Sequence, residues 1–345
     1  MDLITLSMPV YNVEKYVERA LFSALNQTYE NMEFIIADDR GTDKSMEIVR
    51  RIVSGHPREK QVRIIEHERN IGTGAGRNTA IENAQGKYLY FMDSDDAISP
   101  DCIDKLYAEM QKKNVDFVEG SQQTLLQSGE IIEDSIYTCP NMKGHLEVAQ
   151  QFFEKRNNAL HVATWNRLYR LSFLHDNRIL CNPTHVNEDN IFSFQVFLNA
   201  CSCSFIPDIT YFYYDTPDSI MTKMQNKNIS SRFGLQFAEI SSFYRKYLQN
   251  YRKENIYESV LQWVINNEYF YTIKVSDSAI ITKSEKKKFL KETAVFPVNF
   301  GEIAELKKKK LFFYIMWVVF HMPCKVLLFK LISWLSNIKK KMMPA

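Results

Sequence analysis

The chain of 345 residues is 45% hydrophobic, 24% charged and 13% aromatic, a globular balance that excludes a disordered or low-complexity protein. With 11 Gly and 10 Pro, it is also too poor in both for a collagen-like or turn-dense all-β repeat. Its 43 basic and 41 acidic residues leave a formal charge of +2, without the basic excess that marks a nucleic-acid binder.

The first hundred residues alternate between strand and helix patterns. Leu3–Val10 is a short apolar run, and Val13–Leu25 carries apolar residues at helical spacing. Glu33–Ala37 reads as a buried strand, followed by a polar loop whose Asp43 is placed to cap a helix running to Val53. Val62–Glu66 is a third strand, Thr73–Ala84 a helix behind a glycine-rich turn, and Tyr88–Met92 a fourth strand ending in Asp93-Ser94-Asp95-Asp96. Short strands separated by helices predict right-handed βαβ units, hence an α/β fold with a mostly parallel central sheet flanked by helices. In such sheets ligands sit beyond the carboxyl ends of the strands. Three polar clusters fall there: Tyr11-Asn12, Asp38-Asp39 and Asp93–Asp96.

Beyond Asp116–Val118 the pattern weakens. Ser128–Glu130 reads as a hairpin turn, Leu146–Asn157 and Glu188–Asn199 as helices, and residues 203–214 as two short strands. Residues 230–292 are polar-aromatic and helical. The six cysteines show no paired metal-ligand or disulfide spacing and are expected to be reduced thiols in a cytosolic setting. The N-terminal residues lack a basic, then apolar leader pattern, so no secretory signal is expected. Charge is unevenly spread: residues 300–345 hold nine Lys and two Glu, leaving an acidic body and a basic tail.

Asp93-Ser94-Asp95 is the sharpest chemical signal. Two carboxylates at a strand end suit a hard divalent cation that also bridges phosphate oxygens, although Asp/Ser clusters also serve as turns and caps. Asp39 can accept the N3–H of a uracil ring while Tyr11 offers a stacking face; a turn or cap role is the alternative. The Gly72–Gly76 turn follows the third strand rather than the first, which disfavours a dinucleotide site and turns attention to Arg77 as a diphosphate clamp. Glu188-Asp189 opens a helix, either as macrodipole partners or as the source of a general base.

Four segments in order, SMPVYNVEKYVERALFSALNQTYENMEFIIADD, NIGTGAGRNTAIENAQGKYLYFMDSDDAISPD, WNRLYRLSFL and NEDNIFSF, resemble the family 2 glycosyltransferases of the GT-A fold over residues 1–220. The resemblance implies inverting transfer of a sugar from a nucleotide donor, usually a UDP-sugar, with Mn2+ or Mg2+ as cofactor. It assigns Tyr11 and Asp39 to the base, with backbone help from Pro9 and Val10, and puts Arg77 near the diphosphate. Asp93, Ser94 and Asp95 become the DxD element with Asp95 the direct metal ligand, Asp189 the base, and Trp165 a residue lining the sugar site. The family commonly has Asp-Asp-Gly-Ser where this chain has Asp38-Asp39-Arg40-Gly41, and its third-strand turn is less glycine-rich, so a looser loop is expected here.

The expected organisation is a GT-A domain over residues 1–220 (nucleotide half 1–120, acceptor half 121–220), a helical extension over 221–300 and a basic amphipathic tail over 301–345. Pro323, Lys325 and Lys330 interrupt the apolar tail and argue against a spanning helix. Interfacial helices with Trp317 and Trp334 on the greasy side predict an anionic membrane surface as partner. The alternative is a tail helix packed into the core. The resulting expectation is a cytoplasmic, peripherally membrane-associated enzyme acting on a glycan acceptor that is lipid-linked, in capsule, O-antigen or exopolysaccharide synthesis. Rival readings are a sugar-nucleotide nucleotidyltransferase and a non-catalytic nucleotide-sugar or membrane-binding module.

Overall fold

Seven consecutive buried residues, Ile4–Val10, form strand β1, and burial on both faces is why they read as an unbroken apolar run. This is a computed structural model; it describes residues 1–137, 142–155, 160–183, 188–216 and 229–332. Strand β1 pairs in parallel with β2 (Met32–Asp38) and β4 (Tyr88–Phe91), and β2 with β3 (Val62–Glu66). The register sets Val10 beside Asp38 and Asp38 beside Glu66. The polar clusters that follow β1 and β2 therefore lie at the same sheet edge.

Helices α1 (Val17–Leu25), α2 (Ser45–Val53) and α3 (Thr73–Asn83) connect these strands. Helix α1 begins four residues later than its apolar spacing suggests, because Val13–Tyr16 form a turn. Asp43 is not the residue bordering α2. Its carboxylate still secures that helix, accepting from the Ser45 N–H at 3.0 Å and Ser45 Oγ at 2.6 Å. The glycine-rich turn is not loosened. Gly72 enters α3 with φ of 97°, and a Cβ on Gly74 would lie 2.0 Å from the carbonyl oxygen of Asn182, so these glycines permit close packing.

The second half of the sheet is less regular. Strand β5 (Ala97–Ile98) leads into α4 (Cys102–Lys113), and β6 (Phe117–Leu126) forms a hairpin with β7 (Ile131–Ser135). After β8 (Met142–Lys143) and α5 (Glu147–Phe153) comes β9 (Arg167–Arg170), which is antiparallel to both neighbours, β4 and β6. Helices α6 (Leu171–Asp176) and α7 (Glu188–Asn199) precede β10 (Ser202–Asp215). The two strands expected over 203–214 are one strand with register shifts between Ile206 and Tyr211, which break its alternation. The helix expected over Leu146–Asn157 ends at Phe153, and residues 156–157 lie outside the described ones. The main path of the sheet runs β3-β2-β1-β4-β9-β6-β10-β5.

The chain divides into two compact units, Met1–Pro217 and Asp218–Ala345. The second contains α8 (Ser231–Leu248), α9 (Tyr257–Asp277), α10 (Lys283–Thr293), α11 (Phe300–Glu305) and α12 (Lys310–His321). Helices α10 and α11 each open with a complete capping box, Thr282 with Glu285 and Asn299 with Glu302. Phe313, Phe320 and Phe329 are buried, so the tail does contribute to a core. Trp317, expected on an outward greasy face, instead packs on Phe300 and His321. Trp334, Lys339–Lys341 and Cys139 lie outside the described residues.

A buried ion pair stitches the unexpected strand into place. Arg167 Nε donates to Glu119 Oε2 at 2.6 Å, with both side chains fully buried, and Arg167 also donates to the carbonyls of Ala163 and His161. Burial works against Glu119's charge, but Arg167 and His161 outweigh it and hold the carboxyl below its ordinary range. Arg167→Met should cost about 3–5 kcal/mol by stranding that carboxylate, and lower the thermal midpoint by about 10 °C. Adding Glu119→Gln should restore most of the loss. Calorimetry of the two variants checks this, and equal midpoints for single and double variant would contradict it.

Candidate active site

Three strand ends and one distant helix build the site. At the end of β4, Asp93 Oδ1 accepts from Arg77 Nη2 at 2.6 Å, while Arg77 Nη1 donates to Glu188 Oε1 at 2.6 Å. Arg77 sits on α3 and is 3% exposed, so a buried cation ties the end of β4 to the first turn of α7. Burial alone would lower its pKa, but Asp93 and Glu188 raise it well above the ordinary value. The structure thus places Arg77 between two carboxylates.

Asp189, next to Glu188, is pushed up to about 7, by burial first and then by the Glu188 charge, with Arg77 and the Asn190 N–H pulling the other way. Asp95 is raised to about 6, again by burial and then by Asp93. Its backbone carbonyl accepts from Arg19 Nη2 at 2.6 Å, and the Arg19 guanidinium lies 3.4 Å from the centroid of the Tyr214 ring. Ser94 is buried beside it. Asp96 is raised well above the usual carboxylate range by burial, then by Asp95 and Asp93; it accepts from Tyr211 Oη at 2.7 Å and from the Tyr214 N–H at 2.8 Å. Negative charge is concentrated here faster than the protein neutralises it.

That excess is the test of fit for a divalent cation. Among the described residues no group of three or more His, Cys, Asp or Glu is placed to hold a metal ion. A pair of carboxylates suits an ion that takes its remaining ligands from water and substrate phosphates, as Mg2+ commonly does. Burial first and the Asp93 charge second disfavour the ionised Asp95 carboxyl, a cost that a cation held by Asp93 and Asp95 would offset.

Asp39 is almost fully buried. Its Oδ1 accepts from the Ile71 N–H at 2.8 Å and faces His67 Nδ1 at 2.9 Å, and its Oδ2 accepts from the Gly72 N–H at 2.9 Å. A carboxylate has about four acceptor sites, so Oδ2 retains room for one further donor. Tyr11 is half exposed beside it, and Pro9 and Val10 close β1, where the Val10 carbonyl accepts from the Asp39 N–H at 3.1 Å. Arg40 turns away to Glu66 at 2.9 Å and to the His67 carbonyl.

Trp165 stacks on Tyr211 with centroids 4.3 Å apart and planes 11° from parallel. Tyr211 Oη in turn accepts from the Asp93 N–H at 3.2 Å, so the indole stands one ring away from the Asp93–Asp95 segment. The sequence reading overlooked Arg19, His67, Tyr211 and the bridging role of Glu188. Only Tyr211 left a trace, in the aromatic run Tyr211–Tyr214 at a strand-like position.

A curled α/β sheet with acidic loops and a half-buried aromatic platform at its carboxyl edge defines the GT-A class. Residues 5–177 match the family model described as Glycosyl transferase family 2, and the chain belongs to that family. A protein of Haemophilus influenzae described as an uncharacterized glycosyltransferase is 40% identical over 121 residues, covering 35% of this chain and 47% of that protein. The chain thus spans about half the length of that relative. The putative glycosyltransferase EpsH of Bacillus subtilis is 29% identical over 257 residues, 73% of this chain and 72% of EpsH. The crystal structure of S. aureus TarS 1-349 in complex with UDP-GlcNAc has the same fold, with a TM-score of 0.56 and 20% identity over 91% of this chain and 79% of that one.

The raised Asp189 pKa carries a stability consequence. Between the ordinary value of 3.8 and about 7 the folded chain binds a proton that the unfolded chain has released, so stability falls as pH rises through that window. Asp189→Asn should therefore raise the thermal midpoint at pH above 7 and change it little near pH 4. Scanning calorimetry at both pH values checks this; an equal shift at both would show that Asp189 is not held protonated by its site.

Proposed function

We propose that this protein is an inverting glycosyltransferase that moves a sugar from a nucleotide-sugar, a UDP-sugar in the first instance, to a hydroxyl of a lipid-linked glycan in surface-polysaccharide synthesis. The observation that carries the reading is the Asp93–Arg77–Glu188 bridge, which puts Asp189 and the Asp93–Asp95 segment on one buried framework. The TarS structure bound to UDP-GlcNAc supports the choice of donor class.

In this reading Tyr11 stacks on the base and Asp39 Oδ2 accepts its ring N–H, with Pro9 and Val10 shaping the same edge. Asp93 and Asp95, with Ser94 between them, would hold Mn2+ or Mg2+, which when bound neutralises charge on the departing diphosphate. Trp165 offers a flat apolar wall to the sugar. Asp189, with a pKa near the working pH, takes the acceptor proton as the hydroxyl attacks the anomeric carbon from the face opposite the leaving group. One displacement inverts that centre and needs no covalent enzyme intermediate. Arg77 holds Asp93 in place and moderates the Asp189 pKa.

A lipid-linked acceptor would bring the enzyme to the cytoplasmic face of the membrane as a peripheral protein. Among the described residues no helix is long and apolar enough to cross a membrane.

Screening nucleotide-sugars for hydrolysis with and without Mn2+ tests the reading, and one donor should stand out and depend on the metal. Asp95→Ala should lose the Mn2+-dependent part of UDP binding in calorimetry as well as turnover. Asp189→Asn should keep UDP affinity while transfer falls by about 10²–10⁴-fold. A collapse of UDP binding in Asp189→Asn would make that residue a nucleotide ligand and place the base elsewhere.

A further inference from the structure

The second unit contains a basic groove with no part in the chemistry above. It is a wide-open depression of about 450 Å³ lined by Lys283, Lys286, Lys287, Leu290, Lys291 and Lys325. Two of these ammonium groups are committed to backbone. Lys286 Nζ donates to the carbonyls of Ser276 at 2.9 Å and Ser278 at 2.6 Å, and Lys325 Nζ to that of Ala294 at 3.1 Å. Lys283, Lys287 and Lys291 follow one another at four-residue spacing on α10 and make no hydrogen bond or ion pair among the described residues. Like charges at that spacing repel, and burial already disfavours the charge of Lys325. An anion in the groove would relieve both costs.

A second observation indicates what kind of anion. Helix α12 buries Phe313, Met316 and Phe320, yet leaves Leu311, Ile315 and Val318 exposed, with Met322 just beyond its end. Their spacing of four, three and four residues sets them on one face. Leu327 and Leu331 are exposed in the same way, and Leu311 and Leu327 reach 73% and 69% exposure. Lys325, three residues beyond Met322, lines the groove and donates to the carbonyl of Ala294, the residue that ends α10, so the chain that carries the apolar stripe is tied to the lysine-bearing helix through it. A free phosphate has use for the lysines alone. An anionic bilayer presents phosphate next to hydrocarbon and satisfies both.

We propose that this groove binds the phosphate headgroup of an anionic phospholipid while the exposed stripe on α12 enters the adjoining acyl region. The site deepens the membrane reading proposed above, specifying its surface, and is independent of the transfer chemistry. It also relocates the membrane contact. The decisive lysines belong to α10, and the greasy face is Leu311, Ile315, Val318 and Met322 rather than one centred on Trp317.

The test is sedimentation of the full chain with vesicles of phosphatidylcholine, with and without phosphatidylglycerol. The wild type should bind the anionic vesicles far more tightly than the neutral ones. The combined Lys283→Gln, Lys287→Gln, Lys291→Gln variant, which breaks no side-chain hydrogen bond or ion pair among the described residues, should bind about 10²-fold more weakly, from about 1 kcal/mol per lysine. Leu311→Ser with Ile315→Ser should remove the part of binding that survives high salt. Undiminished binding by the lysine variant, or equal binding to neutral vesicles, would overturn the site. So would lysine-dependent binding of inorganic phosphate without any vesicle binding, which would make it a free-anion groove. Donor hydrolysis measured alongside separates the two readings. Its absence counts against glycosyl transfer alone, and its persistence in the lysine variant is expected.

Discussion

A single buried guanidinium holds the candidate site together. Arg77 spans Asp93 at the end of β4 and Glu188 at the start of α7, 16 and 111 positions away from it in the chain. Without the cation, Asp93, Asp95, Glu188 and Asp189 would crowd one partly dry region with little to offset their repulsion. With it, part of that repulsion is offset and a net negative charge remains. Asp93 is oriented, Glu188 is satisfied, and Asp189 is left with a proton affinity near neutral pH. The raised proton affinities of Asp189 and Asp95 are thus two results of one charge balance.

The support behind this cluster is rigid and indirect. Tyr211 links three things at once: it donates to Asp96, accepts from the Asp93 N–H and stacks on Trp165. Behind Trp165, the Glu119–Arg167 pair anchors the segment from His161 to Ala163 through its carbonyls. The acidic loop and the aromatic platform therefore cannot shift separately. Holding protonatable carboxyls under these conditions costs stability at neutral pH, as is common where a site is built for chemistry rather than for folding.

Much of this was legible in the sequence, for a physical reason. Strands buried on both faces, such as Ile4–Val10 and Tyr88–Phe91, read as apolar runs, and β3 and α7 have the residue ranges their patterns suggest. The polar residues at the ends of those strands were visible because the period that marks a strand also marks its end. Strand β9 was not, because Arg-Leu-Tyr-Arg has no periodicity and Arg167 is buried only by virtue of Glu119, 48 positions away. The Arg77 bridge was hidden likewise: the residue stood out beside its glycines, but its partners are fixed by tertiary packing. In the tail, the lysine count pointed to a basic surface, whereas the division of α12 into a buried and an exposed apolar face needed its neighbours.

The most direct test of this account is the pH dependence of donor hydrolysis by Arg77→Gln compared with the wild type. Arg77 lowers the proton affinity of both Asp189 and Asp95. Its removal should therefore shift the acid limb of the profile to higher pH as well as reduce the rate. A slower variant whose acid limb coincides with that of the wild type would contradict the claim that Arg77 sets the charge balance of the site.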